Sequence, residues 1–254
     1  MKDKTLILEL GSAVIKAISI GTSAESAMNY VSTNKLKGVK LYPRVSSDIN
    51  AQINDADLLF LIFDEKDIND FSTLIRIAKI SQELNILTIV LTRTEQNNVI
   101  DELKGIVDSF IVLPENSTVI FNKHIFDVMQ SITESIQQQG LIGFDFADLK
   151  ALTKRAGRCA IGSGVASGSQ REIKAMEGAM ASPLLKGINF KSLHGILINI
   201  SAIAIDMPEF NNIVEPIDEL LSDNTITKVA VTIDEELSDE IKVTLFCTGI
   251  DKNN

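Results

Sequence analysis

Tryptophan is absent from the 254-residue chain, and phenylalanine, tyrosine and tryptophan together make up only 5% of it. A surface that stacks exposed bases on aromatic rings is therefore excluded. Basic residues are also scarce: 24 Lys and Arg face 34 Asp and Glu, a formal net charge of −10. Nucleic acid and anionic membrane surfaces select clustered cations, so neither is an expected partner. The two cysteines, Cys159 and Cys247, are too few for a disulfide framework and fit a reducing compartment. With only two histidines besides, no metal site is expected. Long apolar runs are lacking too. Thr5 to Leu10 is too short for the core of a signal peptide, and nothing approaches the ~20 apolar residues of a spanning helix. A cytoplasmic protein with no leader is expected. No internal repeat or low-complexity tract is found. What remains, 45% hydrophobic and 23% charged residues, is the composition of an ordinary globular protein.

The first half alternates between two periods. Val14–Ile20, Leu58–Phe63, Ile86–Thr92 and Val107–Leu113 are near-continuous apolar runs, the signature of strands buried on both faces. Between them, Ala24–Val31 and Leu74–Leu84 carry one apolar helical face, and Asn85 is placed to end the second in a left-handed conformation. Strands alternating with helices imply a parallel sheet covered on both sides. A long helix, Val119–Gln139, follows, ended by Gly140. The second half reads as α+β: a helix from Ala147 to about Gly157, a strand at Cys159–Ile161, a helix from Ser169 to Ala181, a strand at Gly195–Ser201, a helix over Met207–Ser222 despite Pro216, and strands at Lys228–Ile233 and Ile241–Thr248. The acidic link Asp234–Glu240 reads as a solvated hairpin loop.

Several motifs admit a functional and a structural reading. Gly162-Ser163-Gly164-Val165-Ala166-Ser167-Gly168 could cradle a phosphate ahead of a helix, or be a plain turn; it lacks the lysine of a P-loop and the spacing of a dinucleotide fingerprint. Asp145 and Asp148, three apart at a helix start, could hold a cation or polarise water, or could cap the helix. His194 and His124 have no second ligand nearby, and Met176 and Met180 suit a core.

The segment Gly140-Leu141-Ile142-Gly143-Phe144-Asp145-Phe146-Ala147-Asp148 closely resembles the inter-domain loop of FtsZ, the bacterial tubulin-like division GTPase. The likeness continues through Gly162–Gly168, Ala181-Ser182-Pro183-Leu184-Leu185 and Gly195–Ser201, and ends at Thr248-Gly249-Ile250. The first half is similar to a reduced FtsZ nucleotide domain: Val14–Gly21, Ala56–Thr92 and Val107–Pro114 are similar to its strands. The resemblance implies an α/β, tubulin/FtsZ-like fold with a reduced Rossmann-like N-terminal domain (residues 1–118), a linking helix (119–140) and an α+β C-terminal domain (141–254). It also implies site residues. Asp145 and Asp148 would complete the GTP site of a neighbouring subunit, Gly143 standing where the family has Asn. Gly21 and Asp127 would remain from a nucleotide site, Asp127 matching the guanine-reading Asp.

The departures set the functional expectation. After Gly21 the family has a run of glycines, where this chain has Thr22-Ser23-Ala24-Glu25-Ser26. Its Gly-rich phosphate loop is replaced in ungapped register by Lys66-Asp67-Ile68-Asn69-Asp70-Phe71-Ser72, preceded by Asp64 and Glu65. Side chains there bar the close backbone approach a phosphate needs, and carboxylates near a triphosphate repel it by roughly 4 kcal/mol per pair at 4 Å. The expected protein is a pseudo-GTPase without cofactor that contacts FtsZ, or itself, through longitudinal filament-type contacts at the division site. It would lack the family's anchor-recruiting C-terminal peptide and bind no membrane directly. The rivals are a polymerising GTPase using GTP/GDP and Mg, another Rossmann-type nucleotide enzyme, and a decayed paralogue without a role.

Overall fold

A computed structural model describes residues 13–93, 97–113, 118–137 and 140–250. Thr5–Leu10, Pro114 and the last two residues of the expected long helix lie outside the described residues.

The apolar runs of the first half form parallel strands. They are β1 (Ile15–Ile20), β2 (Val39–Tyr42), β3 (Leu58–Phe63), β4 (Leu87–Thr92) and β5 (Ser109–Val112), in the order β2-β1-β3-β4-β5. The connecting helices are α1 (Thr22–Thr33), α2 (Ile49–Ile53), α3 (Phe71–Glu83) and α4 (Asn97–Leu103). Strand β3 shows why every residue of such a run is apolar. Leu58, Phe60 and Ile62 pack on the face carrying Ala24, Met28 and Val31 of α1, while Leu59, Leu61 and Phe63 pack on the face carrying Leu74 and Ile77 of α3. Asn85 takes the left-handed conformation expected of it, with φ 56°. The short amphipathic edge strand β2 and the one- and two-turn helices α2 and α4 were not expected, being too short to show a period.

Helix α5 (Thr118–Gln137) buries Phe121, Ile125, Val128, Met129 and Ile132 in the same cluster as α1. Tyr30 meets Phe126 edge-on at 6.4 Å, and Gln137 Nε2 donates to the Gly38 carbonyl at 3.2 Å, so α5 is pinned along its whole ~30 Å.

The second half comprises β6 (Gly140–Ile142), α6 (Phe146–Thr153), β7 (Gly157–Ala166), α7 (Arg171–Met180), β8 (Gly195–Ala202), α8 (Met207–Asp218), β9 (Ile226–Ile233) and β10 (Ile241–Thr248). Strand β7 pairs in parallel with β5 through Ser109↔Gly157 and Ile111↔Cys159. The two halves thereby share one ten-stranded sheet, which continues β7-β10-β8-β9-β6. Gly140 does not simply end the long helix; it opens the edge strand β6, where a side chain would strike the Val231 carbonyl.

Two expectations are corrected. Gly162 and Gly164 lie inside β7, not in a turn. A Cβ on Gly162 would collide with the Ala179 carbonyl and Leu185, and one on Gly164 with the Ala175 carbonyl and Ala179 N. The glycines let α7 lie directly on the strand, which is packing and not phosphate binding. The link Asp234–Glu240 is not a hairpin either: β8 lies between β9 and β10, parallel to the first and antiparallel to the second. Charge in the link marks solvent exposure but says nothing of which strands are neighbours.

Candidate functional site

The C-terminal ends of the parallel strands line up, Ile20 beside Phe63, Phe63 beside Thr92 and Thr92 beside Val112. Ligands of open α/β sheets bind at such an edge. Here β1 passes into α1 through Gly21, held at φ 92° and ψ 169°. The first amides of a helix have no partner within it and, with the helix dipole, attract an anion.

That place is taken by the protein's own side chain. After β3 a 3-10 turn, Glu65–Asp70, brings Asp67 over the head of α1. Asp67 Oδ2 accepts from Ser23 N at 2.9 Å and Ala24 N at 3.1 Å, and Oδ1 from Ser23 N at 3.2 Å and Thr22 Oγ1 at 3.3 Å. The residue is 7% exposed. A methyl group on Gly21 would collide with its Cβ and carboxylate. Asp67 thus does the work of a helix N-cap from a separate element, 43 residues away from Ala24.

The neighbouring charges are equally committed. Asp64 caps the 3-10 turn through Lys66 N at 3.1 Å and receives both arms of the Arg93 guanidinium, one of them Nε at 2.8 Å. Both side chains are buried, and Arg93 stacks on the Phe121 ring at 4.6 Å. Arg93, a cation at the end of β4 where an anion would sit, is therefore neutralised internally. The expected mass of free carboxylates is corrected in part: Asp64 and Asp67 are spent inside the fold, whereas Asp70 is exposed.

Asp127 pairs with Lys123 at 2.5 Å and lines a cavity of about 160 Å³ with His124, Ser163 and Ser182. Burial pushes the His124 imidazole below its usual pKa. Among the α5 residues that meet α1 are Asn122 and Phe126, with Asn122 Nδ2 3.3 Å from Ser26 Oγ and Phe126 edge-on to Tyr30. Among the described residues, Asn122 Oδ1 is buried with no hydrogen-bond partner.

Asp145 and Asp148 form a reciprocal capping box at the start of α6: Asp148 N donates to Asp145 Oδ1 at 2.8 Å, and Asp145 N to Asp148 Oδ2 at 3.3 Å. Lys228 Nζ lies 2.6 Å from Asp148 Oδ1, and this hydrogen bond holds the Asp148 carboxyl below its ordinary pKa. Asp145 stays exposed, as do Leu141 and Ile142 before it, and the space around Gly143 is open. This loop follows the C-terminal end of α5 while Asn122 and Gly21 sit near its N-terminal end, so the helix holds the two groups of residues apart.

Among the described residues no three His, Cys, Asp or Glu side chains are grouped to hold a metal, and no helix is long and apolar enough to cross a membrane. Cys159 is buried, which pushes its thiol up to about 12, and Cys247 is raised likewise by burial. Neither is a nucleophile. Asp67, Arg93 and Asn122 were not singled out as a set by the sequence reading, because their partners are 29 to 96 residues distant and no local spacing marks them.

Comparison with known proteins agrees with this geometry. Residues 157–251 match the model for the FtsZ family, C-terminal domain. The cell division protein FtsZ of Buchnera aphidicola subsp. Baizongia pistaciae is 27% identical over 273 residues, covering 97% of this chain and 68% of that protein. That of Coxiella burnetii is 32% identical over 199 residues, 68% of this chain and 52% of its own length. Among solved structures, an empty FtsZ dimer from M. jannaschii superposes with a TM-score of 0.79 at 21% identity, covering 97% of this chain and 92% of that one. TubZ protofilaments of Bacillus thuringiensis serovar israelensis superpose at 0.69 and 10%, covering 96% and 89%. The fold is that of the tubulin-like proteins, and the chain belongs to the FtsZ family.

Proposed function

We propose that this is a non-catalytic FtsZ-family protein, a pseudo-GTPase that acts on tubulin-like filaments at the division site without nucleotide or magnesium of its own. The observation that carries this reading is the Asp67 carboxylate on the Ser23 and Ala24 amides. A nucleotide phosphate would have to displace a buried, four-fold hydrogen-bonded carboxylate and then lie against Asp64, which is buried and paired with Arg93. Loss of a hydrogen-bonded carboxylate from a helix head costs about 1–2 kcal/mol before any repulsion is counted. The loop carrying Asp145 and Asp148 keeps its shape and an exposed carboxylate. Such a molecule docks by that loop on the nucleotide end of an FtsZ subunit and offers the next subunit no nucleotide, so filaments are capped.

The rival reading is a GTP-binding, GTP-hydrolysing FtsZ that polymerises into the division ring. The retained Gly21 and the unpartnered Asn122 Oδ1 beside α1 favour it.

The test of the proposal is light scattering of FtsZ polymerising with GTP, to which this protein is added below equimolar amounts. Capping lowers the plateau, and Asp145→Ser, which keeps an N-cap oxygen but removes the charge, relieves the effect. Unchanged polymer mass, length and turnover at equimolar protein would refute capping.

A further inference from the structure

At the opposite edge of the same strands, a cavity of about 370 Å³ opens where three helices end. Its wall includes Gln82 and Asn85 from the end of α3, Lys104 and Asp108 from the connection into β5, and Lys150, Lys154 and Arg155 from the end of α6. Clustered cations are unusual in a chain of net charge −10. The plain explanation would be that they satisfy the carbonyls at the helix ends. That explanation is incomplete, because five of those carbonyls are already bonded by turn amides: Ile80 O by Leu84 N, Ile100 O by Lys104 N, Leu103 O by Val107 N, Lys150 O by Lys154 N and Thr153 O by Ala156 N.

The cations themselves have little to hold. Lys104 pairs with Asp101, both largely exposed. Asp108 turns its Oδ2 to Thr88 N at 2.9 Å. Among the described residues, the side chains of Lys150, Lys154 and Arg155 make no hydrogen bond and no ion pair. Lys150 and Lys154 stand one helical turn apart, where like charges repel. Arg155 is held at φ 57°, a left-handed conformation uncommon for a side-chain-bearing residue. Three like charges are thus gathered on one rim, and the carboxylate in the wall, Asp108, is turned to Thr88 N rather than to them, an arrangement that an external anion relieves.

We infer that this cavity is a binding site for a small polyanion carrying at least two phosphate groups, with inorganic pyrophosphate as its simplest representative. The volume falls at the lower end of small-molecule sites, about 300–1,000 Å³. It is too small for a nucleic acid duplex, which the overall charge also repels. Arg155 supplies the planar fork that suits a phosphate, and the lysines supply point charges for the second. The Asn85 amide can donate to a remaining oxygen, while Gln82 Nε2 already donates to the Gly105 carbonyl at 3.3 Å. The site is independent of the head of α1, which lies at the other end of the sheet.

The test is isothermal titration of the full chain with pyrophosphate at physiological ionic strength. Saturable one-site binding is expected, weakened roughly tenfold or more in Lys154→Ala/Arg155→Ala. Lys186→Ala/Lys191→Ala, which removes the same charge from exposed positions elsewhere, leaves the affinity unchanged. Thermal melts establish that each variant is folded, and Lys150→Ala serves if the first pair is not. The absence of saturable heat, or equal losses in the site and control pairs, would overturn the assignment; citrate binding as tightly as pyrophosphate would overturn its restriction to phosphate.

Discussion

Asp67 Oδ2 sits 2.9 Å from the backbone nitrogen of Ser23, in the position a bound anion would occupy at the head of α1. A carboxylate on the turn after β3 thus closes a gap left by the glycines that the chain lacks after Gly21. The relationship gives the head of α1 an internal ligand, and its removal has a definite effect on stability. Asp67→Ala leaves the first amides of α1 uncapped in a buried place. The expected loss is about 1–3 kcal/mol, or a melting temperature lower by several degrees. Asp67→Asn, which keeps an acceptor, loses less. Urea unfolding of the two variants checks the order; an unchanged midpoint for Asp67→Ala would mean that the carboxylate has no structural part.

Arg93 and Asp64 form a buried pair, so single and double replacements should differ sharply. Arg93→Ala strands a buried carboxylate and is expected to lose about 3–5 kcal/mol. Replacing both, Arg93→Met with Asp64→Leu, removes both charges and should recover a large part of that loss. Denaturant melts of the set report the coupling. Equal losses for single and double variants would show that the pair is not coupled.

Acid should loosen the ends of α6 and α8 before the sheet. Asp148 is held below its usual pKa by Lys228, and Glu209 by Arg171. A carboxyl whose folded pKa is depressed contributes stability that is fully present above its unfolded pKa, near 3.8 for Asp148 and 4.5 for Glu209. That contribution is lost as the pH falls from there through the folded value. Asp148→Asn should therefore flatten the stability profile below about pH 4 and lower stability at neutral pH. A profile identical to that of the parent would remove Lys228 from the account.

Gly162 and Gly164 carry a packing prediction. Alanine at Gly164 meets backbone atoms of α7, which cannot swing aside as a side chain can. Gly164→Ala is expected to cost about 1–3 kcal/mol, whereas Gly143→Ala, in open space, should be nearly neutral. Thermal melts distinguish them, and similar values would contradict the close approach of α7 to β7.

Much of the fold is legible in the residues. Leu58–Phe63 is a strand over the very residues its apolar run marks, because burial on both faces leaves no polar position to blur the edges, and Ile241–Thr248 keeps its expected bounds as well. The period of α5 is likewise clear, since one stripe of it meets the sheet. The glycines of β7 are misread because the same residue type serves a turn, a phosphate or a close helix, and only the neighbour decides. The order β10-β8-β9 is hidden because strand neighbours are set by the topology of the sheet, not by the length of the link. At the site, Gly21 and the glycine-free stretch Lys66–Ser72 are visible in the sequence, but the bond that makes them meaningful is not. Asp67 resembles any other aspartate until the turn after β3 brings it across to α1.

The central claim is that the nucleotide end is occupied from within. Isothermal titration of the purified chain with GTP and magnesium tests it most directly. No saturable heat is expected, and thermal melts with and without GTP should superimpose, since a ligand that selects the native state must raise its stability. A dissociation constant below about 10 μM, near −7 kcal/mol, together with a melting point raised by several degrees, would contradict the account.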